Sequence, residues 1–140
     1  MREKYLRFGE FIRKKRLDDP RELTMPDVAF ALGISYQYVS EVEKGRRNPF
    51  DKKKLELLAE FLDFSEEETA LMYDLASREN HGVPYDIEDT LMYEDVGDLA
   101  RFALRQSKAG FIKEQDWKAM IRKAEARKAK QKNKGGNDDV

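Results

Sequence analysis

The chain has 140 residues, enough for one domain and a further segment, and it contains no cysteine and one histidine. Without cysteine there is no disulfide bond and no thiolate nucleophile, and one histidine alone cannot build a metal site or a catalytic pair. There is also no Gly-rich phosphate loop. These absences argue against an enzyme and against a metal or other cofactor, so we expect a protein that works by binding.

The charge is unevenly distributed, although the formal net charge is only −1. Residues 1–54 contain 14 Lys and Arg against 9 Asp and Glu, residues 55–100 contain 1 against 14, and residues 101–140 contain 12 against 5. A basic first part followed by an acidic block means that only one side of the molecule should approach a polyanion. The low overall charge therefore does not exclude a nucleic-acid partner.

The first helix is predicted from the amphipathic start MREKYLRFGEFIRKKR. It should end near Leu17, because Asp18, Asp19 and Pro20 interrupt the helical pattern. The start lacks the apolar region of a signal peptide, and no run of the chain is long enough to cross a bilayer. We therefore expect a cytoplasmic protein without membrane contact. The core-facing residues of this helix are expected to be Leu6, Phe8, Phe11 and Ile12.

Two short helices joined by a glycine turn are predicted next. Thr24, followed three residues later by Asp27, has the pattern of a capping box that begins the first of them. Gly33 should adopt a positive φ and end that helix, and Ser35 is placed to cap the next one. This arrangement has the length of a DNA-binding helix-turn-helix. The core-facing residues of the first of these helices are expected to be Val28, Ala29 and Leu32.

The second of these helices should have one apolar and one polar face. At 100° per residue, Tyr38, Val39 and Val42 fall on the inside. Glutamine can pair with adenine through two hydrogen bonds, and glutamate can accept one from cytosine, so the polar face is suited to base edges. An ordinary solvated face, or a surface for another protein, is the alternative. The polar face consists of Tyr36, Gln37, Ser40, Glu41 and Lys44.

A basic loop should follow this helix. Gly45 is expected to end the helix, and the chain then continues with Arg46, Arg47 and Asn48. Arginine and asparagine in this position are suited to phosphates, which fix the register of a protein on DNA without reading sequence. We therefore predict that this loop contacts the DNA backbone.

The segment Gly33–Pro49, GISYQYVSEVEKGRRNP, resembles the signature of the phage Cro/repressor-like helix-turn-helix family, also called the xenobiotic response element family. The resemblance covers roughly the first half of the chain. It implies a five-helix domain that binds double-stranded DNA, with base contacts from Tyr36, Gln37 and Glu41. The backbone contacts that it implies come from Thr24, Met25, Ser40, Lys44 and Arg46.

The same resemblance implies an ion pair between Glu43 and an arginine of the first helix, for which Arg16 is the candidate. This chain departs from the family pattern at two places. Met25 stands where the family often has a phosphate-binding glutamine, and the loop from Leu17 to Glu22 is longer than usual. Both departures lie where the first and second helices would approach DNA.

Two more helices should complete a domain of residues 1–80. Phe50 to Leu62 has apolar residues at helical spacing, and Ser65 with Glu68 forms a stronger capping box that begins a fifth helix through about Asn80. Residues 81–92 are predicted to be a linker, with its histidine solvated. The acidic stretch that follows cannot be a calcium-binding loop, because the position that needs glycine is Leu91.

A helical hairpin is predicted for residues 93–131, with helices at about Tyr93–Ser107 and Lys113–Lys130 separated by a glycine turn. Two amphipathic helices cannot bury both apolar faces by themselves. They can pack on the first domain or pair with a second copy, and we expect self-association. Residues 132–140 are expected to be a disordered tail. The expected anchors of the dimer are Phe111, Trp117, Met120 and Ile121.

The sequence thus predicts an all-α protein, a five-helix Cro/repressor-like helix-turn-helix domain followed by a helical hairpin. The first functional hypothesis is a sequence-specific transcriptional regulator, a repressor that binds a pseudopalindromic operator as a homodimer. The alternative is an antitoxin or other inhibitory protein-binding module of a two-gene operon, which regulates its own synthesis through the same helices. In that case the acidic block would suit a basic protein partner.

Overall fold

The computed structural model describes residues 6–138, with side chains for residues 6–133. This part of the chain is all-helical, as predicted, and divides into a first compact unit ending at Asp89 and a second beginning at Thr90. None of its helices is long and apolar enough to cross a membrane. The helices are α1 (Phe8–Asp18), α2 (Met25–Leu32), α3 (Tyr36–Glu43), α4 (Lys52–Phe61), α5 (Glu66–Asn80), α6 (Glu88–Tyr93), α7 (Asp95–Lys108) and α8 (Glu114–Asp138).

The predicted caps begin three of the helices. The Thr24 hydroxyl accepts a hydrogen bond from the Asp27 N–H at 3.3 Å, while the Asp27 carboxylate accepts one from the Thr24 N–H at 2.8 Å. Ser65 and Glu68 form the same reciprocal pair before α5, at 3.1 and 2.9 Å. The Ser35 hydroxyl accepts from the N–H of Tyr38 at 3.2 Å and begins α3. Each cap satisfies amide groups that the first helical turn leaves unpaired.

Glycine turns end α2 and α3, also as predicted. Gly33 has a φ of 70° and Gly45 a φ of 75°. In both turns the next amide reaches back to the preceding helix: the Ile34 N–H donates to the Ala29 carbonyl at 3.0 Å, and the Arg46 N–H donates to a carbonyl of α3 at 2.9 Å. Side chains rarely tolerate this left-handed conformation, so glycine defines where both helices stop.

The core of the first unit lies among α1–α5. Helix α1 crosses α3 at very short distance: a β-carbon added to Gly9 would lie only 2.3 Å from the carbonyl oxygen of Val42. The absence of a side chain at Gly9 therefore allows the two backbones to meet. The buried apolar residues are Phe8, Phe11, Ile12, Val28, Ala29, Leu32, Val39, Val42, Phe50, Leu55, Leu58, Leu62, Met72, Tyr73, Leu75 and Ala76.

The second unit contains α7 and α8, joined by a turn at Gly110, whose φ is 91°. The indole N–H of Trp117 donates to the Ser107 hydroxyl at 2.9 Å and connects the two helices. Most apolar side chains of this unit remain exposed, including Leu99 at 71% and Phe111 at 79% of their surface. The unit therefore has two amphipathic helices but no buried apolar core among the side chains that the structure describes.

Two segments differ from the sequence-based expectation. Part of the predicted linker of residues 81–92 is helical, because α6 begins at Glu88. Helix α8 continues to Asp138, through most of the residues 132–140 for which a disordered tail was predicted, and residues 139 and 140 lie outside the described part. The Lys- and Ala-rich stretch of residues 122–130 favours helix, but residues 132–138 (KNKGGND) do not, so composition does not explain the continuation of α8.

Candidate nucleic-acid interface

The orientation of α3 depends on a buried ion pair. The guanidinium of Arg16 on α1 donates to both carboxylate oxygens of Glu43 on α3, at 2.8 and 2.9 Å, and to the Leu23 carbonyl at 3.1 Å. Both charged residues are only 7% exposed. The hydrogen bonds to Glu43 raise the pKa of Arg16 above its ordinary value. The pair that the family resemblance implied is thus present, and it ties the end of α3 to α1 and to the chain before α2.

The polar face of α3, which we call the recognition face, consists of Tyr36, Gln37, Ser40, Glu41 and Lys44. All of these side chains are exposed except that of Ser40, which is half-buried. Together with Arg46 they line one shallow concavity of about 170 Å³. The structure therefore brings together the side chains that the sequence predicted for base contacts, with cations at one end of the face.

The basic loop of Arg46, Arg47 and Asn48 continues from this face. The guanidinium carbon of Arg47 lies 3.5 Å from the centre of the Tyr38 ring, and that ring lies 5.6 Å from the Phe50 ring of the core. Stacking on an aromatic ring reduces the freedom of a long side chain, so Arg47 is held in position before any ligand binds. All three residues of the loop are exposed.

A second group of cations begins α4, directly after the basic loop. Lys52 and Lys53 are exposed in the first turn, and Asp51 caps the helix by accepting the Lys54 N–H at 3.0 Å. This hydrogen bond, with the Lys54 ammonium at 2.9 Å, lowers the pKa of Asp51. Lysines at a helix N-terminus are a favourable arrangement for phosphate. The run of three lysines after a proline-ended loop was the sequence signal for this group, and the site prediction omitted it.

The two predicted contacts before α3 are placed differently from each other. Thr24 is exposed and uses its hydroxyl oxygen to cap α2. Met25 is half-buried and packs against the core, so its side chain is not presented to solvent as a phosphate-binding side chain would be. As the first residue of α2, Met25 offers its backbone N–H instead. The predicted backbone contact at Met25 can therefore come only from the main chain.

Three further residues, distant in sequence, lie beside the basic loop. Arg7, before α1, and Arg78 and His81, at the end of α5, line a cleft of about 640 Å³ together with Glu79, Gly45 and the basic loop. We call this the basic cleft. No local pattern marks these residues for binding, because only the packing of α1 and α5 brings them to the end of α3. The sequence-based prediction did not include them.

The predicted dimer anchors all belong to the second unit. Phe111, Met120 and Ile121 are exposed, whereas Trp117 is half-buried by its contact with α7. Three of the four side chains therefore have apolar surface that is free to meet another molecule. No group of three His, Asp or Glu side chains in the described part of the chain is arranged to hold a metal ion.

The comparisons with known proteins agree with this geometry in the first unit. A family model described as helix-turn-helix matches residues 12–68, from α1 to the first turn of α5. Neither the comparison with curated proteins nor that with solved structures gave a match. The matched segment contains the capped α2, the glycine turn and the recognition face. By this match and this geometry, residues 12–68 form a helix-turn-helix domain of the Cro/repressor-like family, and such a domain supports a DNA-binding transcriptional regulator.

Proposed function

We propose that the protein is a sequence-specific repressor that binds a pseudopalindromic operator as a homodimer. The observation that carries this proposal is the recognition face, which is exposed, polar and continuous with a basic loop. In this assignment α3 enters the major groove, Gln37 and Glu41 select bases, and Lys44 with Arg46 holds phosphates. A repressor of this kind needs no catalytic step, so we propose a binding function in the cytoplasm and no enzymatic activity.

The direct test is selection of preferred duplexes from a random pool with the purified full-length protein. Enrichment of an inverted repeat is expected, since two related α3 helices would read two half-sites. Gln37→Ala should then lose about 1–3 kcal/mol of discrimination at one base position of each half-site. Arg46→Ala serves as the matched variant, because it should weaken all duplexes similarly and lower the salt slope by about 0.9. Equal affinity for every duplex, unchanged by Gln37→Ala, would contradict base reading.

Self-association is assigned to the second unit. Its support is the amount of apolar surface that α7 and α8 leave exposed, since such surface is normally covered by another molecule. Phe111→Glu is expected to convert a dimer into a monomer because it places a charge in the interface. Gln115→Glu, at an exposed polar position of α8, is the matched control and should leave the dimer intact. Light scattering that finds a monomer for the unmodified protein at high micromolar concentration would exclude this assignment.

The antitoxin alternative is favoured by one observation, the strong separation of charge along the chain. Residues 55–100 contain 14 acidic and 1 basic residue, which suits a basic protein partner. The neighbouring reading frame distinguishes the two functions most simply. If it encodes a small protein whose toxicity is neutralised by co-expression of this chain, the repressor role becomes autoregulatory.

A further inference from the structure

We propose that the basic cleft binds a phosphate of the DNA backbone beyond the bases that α3 reads. The inference rests on the DNA-binding function proposed above and extends the interface to residues outside the helix-turn-helix. The new contacts are Arg7 and Arg78, with His81 at the edge of the cleft. The ligand is a phosphodiester group, and its binding would add affinity without adding sequence preference.

The composition of the cleft selects an anion. Four arginines line it, and the single carboxylate among its lining residues is that of Glu79. That carboxylate already accepts two hydrogen bonds, one from the Phe8 N–H at 2.8 Å and one from the Arg7 guanidinium at 3.4 Å. Because an arginine has five donor groups, Arg7 keeps donors for a second acceptor. The cleft therefore has an excess of positive charge and of donors.

The cleft is also partly preorganised. Glu79 holds Arg7 at the start of α1, and the Arg7 guanidinium carbon lies 3.6 Å from where a β-carbon on Gly45 would be. A β-carbon there would meet Arg7 only at ordinary van der Waals distance, so the close approach of Arg7 to the end of α3 is a normal packing contact. On the other side, Arg47 is held by the Tyr38 ring. Guanidinium groups that are already positioned lose less freedom when they bind phosphate.

Continuity with the recognition face favours DNA over a small anion. Arg46 lines both the concavity of the recognition face and the basic cleft. A duplex seated on α3 therefore runs past Arg46, and its next phosphates come within reach of the cleft, because each strand carries a charge about every 3.4 Å along the axis. A free phosphorylated molecule would need no such connection to the recognition face.

The test measures the salt dependence of DNA binding for single variants of the full-length protein. Arg7→Ala and Arg78→Ala should each lower the slope of log affinity against log salt by about 0.9, which corresponds to one lost phosphate contact. Their base preference should be unchanged. Arg13→Ala removes one exposed cation of α1 that does not line the cleft, and it should leave the slope unchanged.

A methylphosphonate scan of the operator locates the contact. Neutralising the bound phosphate should weaken the unmodified protein several-fold and should have no further effect on Arg7→Ala. Thermal unfolding shows whether a variant has lost its folded structure. If Arg7→Ala is unfolded, the salt slope of Arg78→Ala tests the cleft instead. Unchanged salt slopes for both folded arginine variants would overturn the proposal. Saturable binding of inorganic phosphate below millimolar concentration, lost in Arg7→Ala while the DNA salt slope is unchanged, would also overturn it in favour of a small anion.

Failure of this inference and failure of the proposed function are distinguishable. The salt slope can be measured on any duplex, so it reports on the basic cleft even if no preferred operator exists. Conversely, a strong operator preference with unchanged slopes for Arg7→Ala and Arg78→Ala would retain the proposed function and reject only the cleft.

Discussion

Both units consist of amphipathic helices, but the first unit buries many of its apolar side chains and the second leaves most of them exposed. In the first unit, α1–α5 bury sixteen apolar residues around a common core. In the second unit, Gly97 is the only residue that is buried among those whose side chains the structure describes. Amphipathic patterning therefore predicts which residues share a face, but burial requires a partner surface. The first unit supplies that surface itself, whereas the described side chains of the second unit do not.

The largest expected difference between the units concerns ion pairs. Glu43→Ala leaves Arg16 buried without its carboxylate, so the free energy of unfolding should fall by about 3–5 kcal/mol. Glu114→Ala is the matched change in the second unit, where Lys118 and Glu114 form an exposed pair at 3.5 Å. Its effect should stay below about 1 kcal/mol. Urea unfolding followed by circular dichroism measures both, and equal losses would refute the contrast.

A second pair of variants compares apolar burial directly. Leu58 is fully buried in the first unit, and Leu58→Ala should cost about 2–5 kcal/mol through lost transfer energy and a cavity. Leu99 is mostly exposed, and Leu99→Ala should cost less than about 0.5 kcal/mol in the monomer. The single tryptophan, Trp117, lies in the second unit, so its fluorescence reports on that unit while circular dichroism reports on both.

The destabilisation caused by Leu99→Ala can also be measured at several protein concentrations. If α7 pairs with a second copy, the cost of the substitution should grow at protein concentrations where the dimer forms, because the side chain is then buried. A cost that is large in the monomer would instead show that Leu99 is packed within one chain. Leu58→Ala should have the same effect at all concentrations.

The smallest expected effect is a dependence of stability on pH. Backbone hydrogen bonds from Thr24 and Lys54 lower the pKa values of the capping carboxylates Asp27 and Asp51, and the Lys15 ammonium lowers that of Glu68. Because these values are depressed in the folded state, the stabilisation is complete above the ordinary values of 3.8 for Asp and 4.5 for Glu, and it is lost as pH falls below them.

The urea midpoint should therefore be constant above about pH 5.5 and should fall below about pH 4.5. Asp27→Asn removes one titrating cap and should reduce the size of this fall. A midpoint that rises on acidification would contradict the stabilising role of these carboxylates. All three caps belong to the first unit, so the effect should be seen in its unfolding transition.

Residue type and spacing were enough to predict the features that depend on neighbouring residues. Caps at Thr24, Ser35 and Ser65, the glycine turns and the two faces of α3 all follow from contacts within a few positions of the chain, where residue type and spacing decide the conformation. The same local signals identified the recognition face. These local signals did not show that Met25 is half-buried, because burial depends on which distant residues pack against it.

Which distant residues meet could be read only from the packing of the helices against one another. The ion pair of Arg16 and Glu43 joins positions that a family resemblance could suggest but spacing alone could not. The basic cleft assembles Arg7 with Arg78 and His81, more than seventy positions apart, because α1 and α5 pack beside the end of α3. Long-range contacts follow from the packing of whole helices, and no local pattern contains that information. The exposed apolar faces of α7 and α8 make the same point, because a pattern of apolar residues does not specify whether another surface covers them.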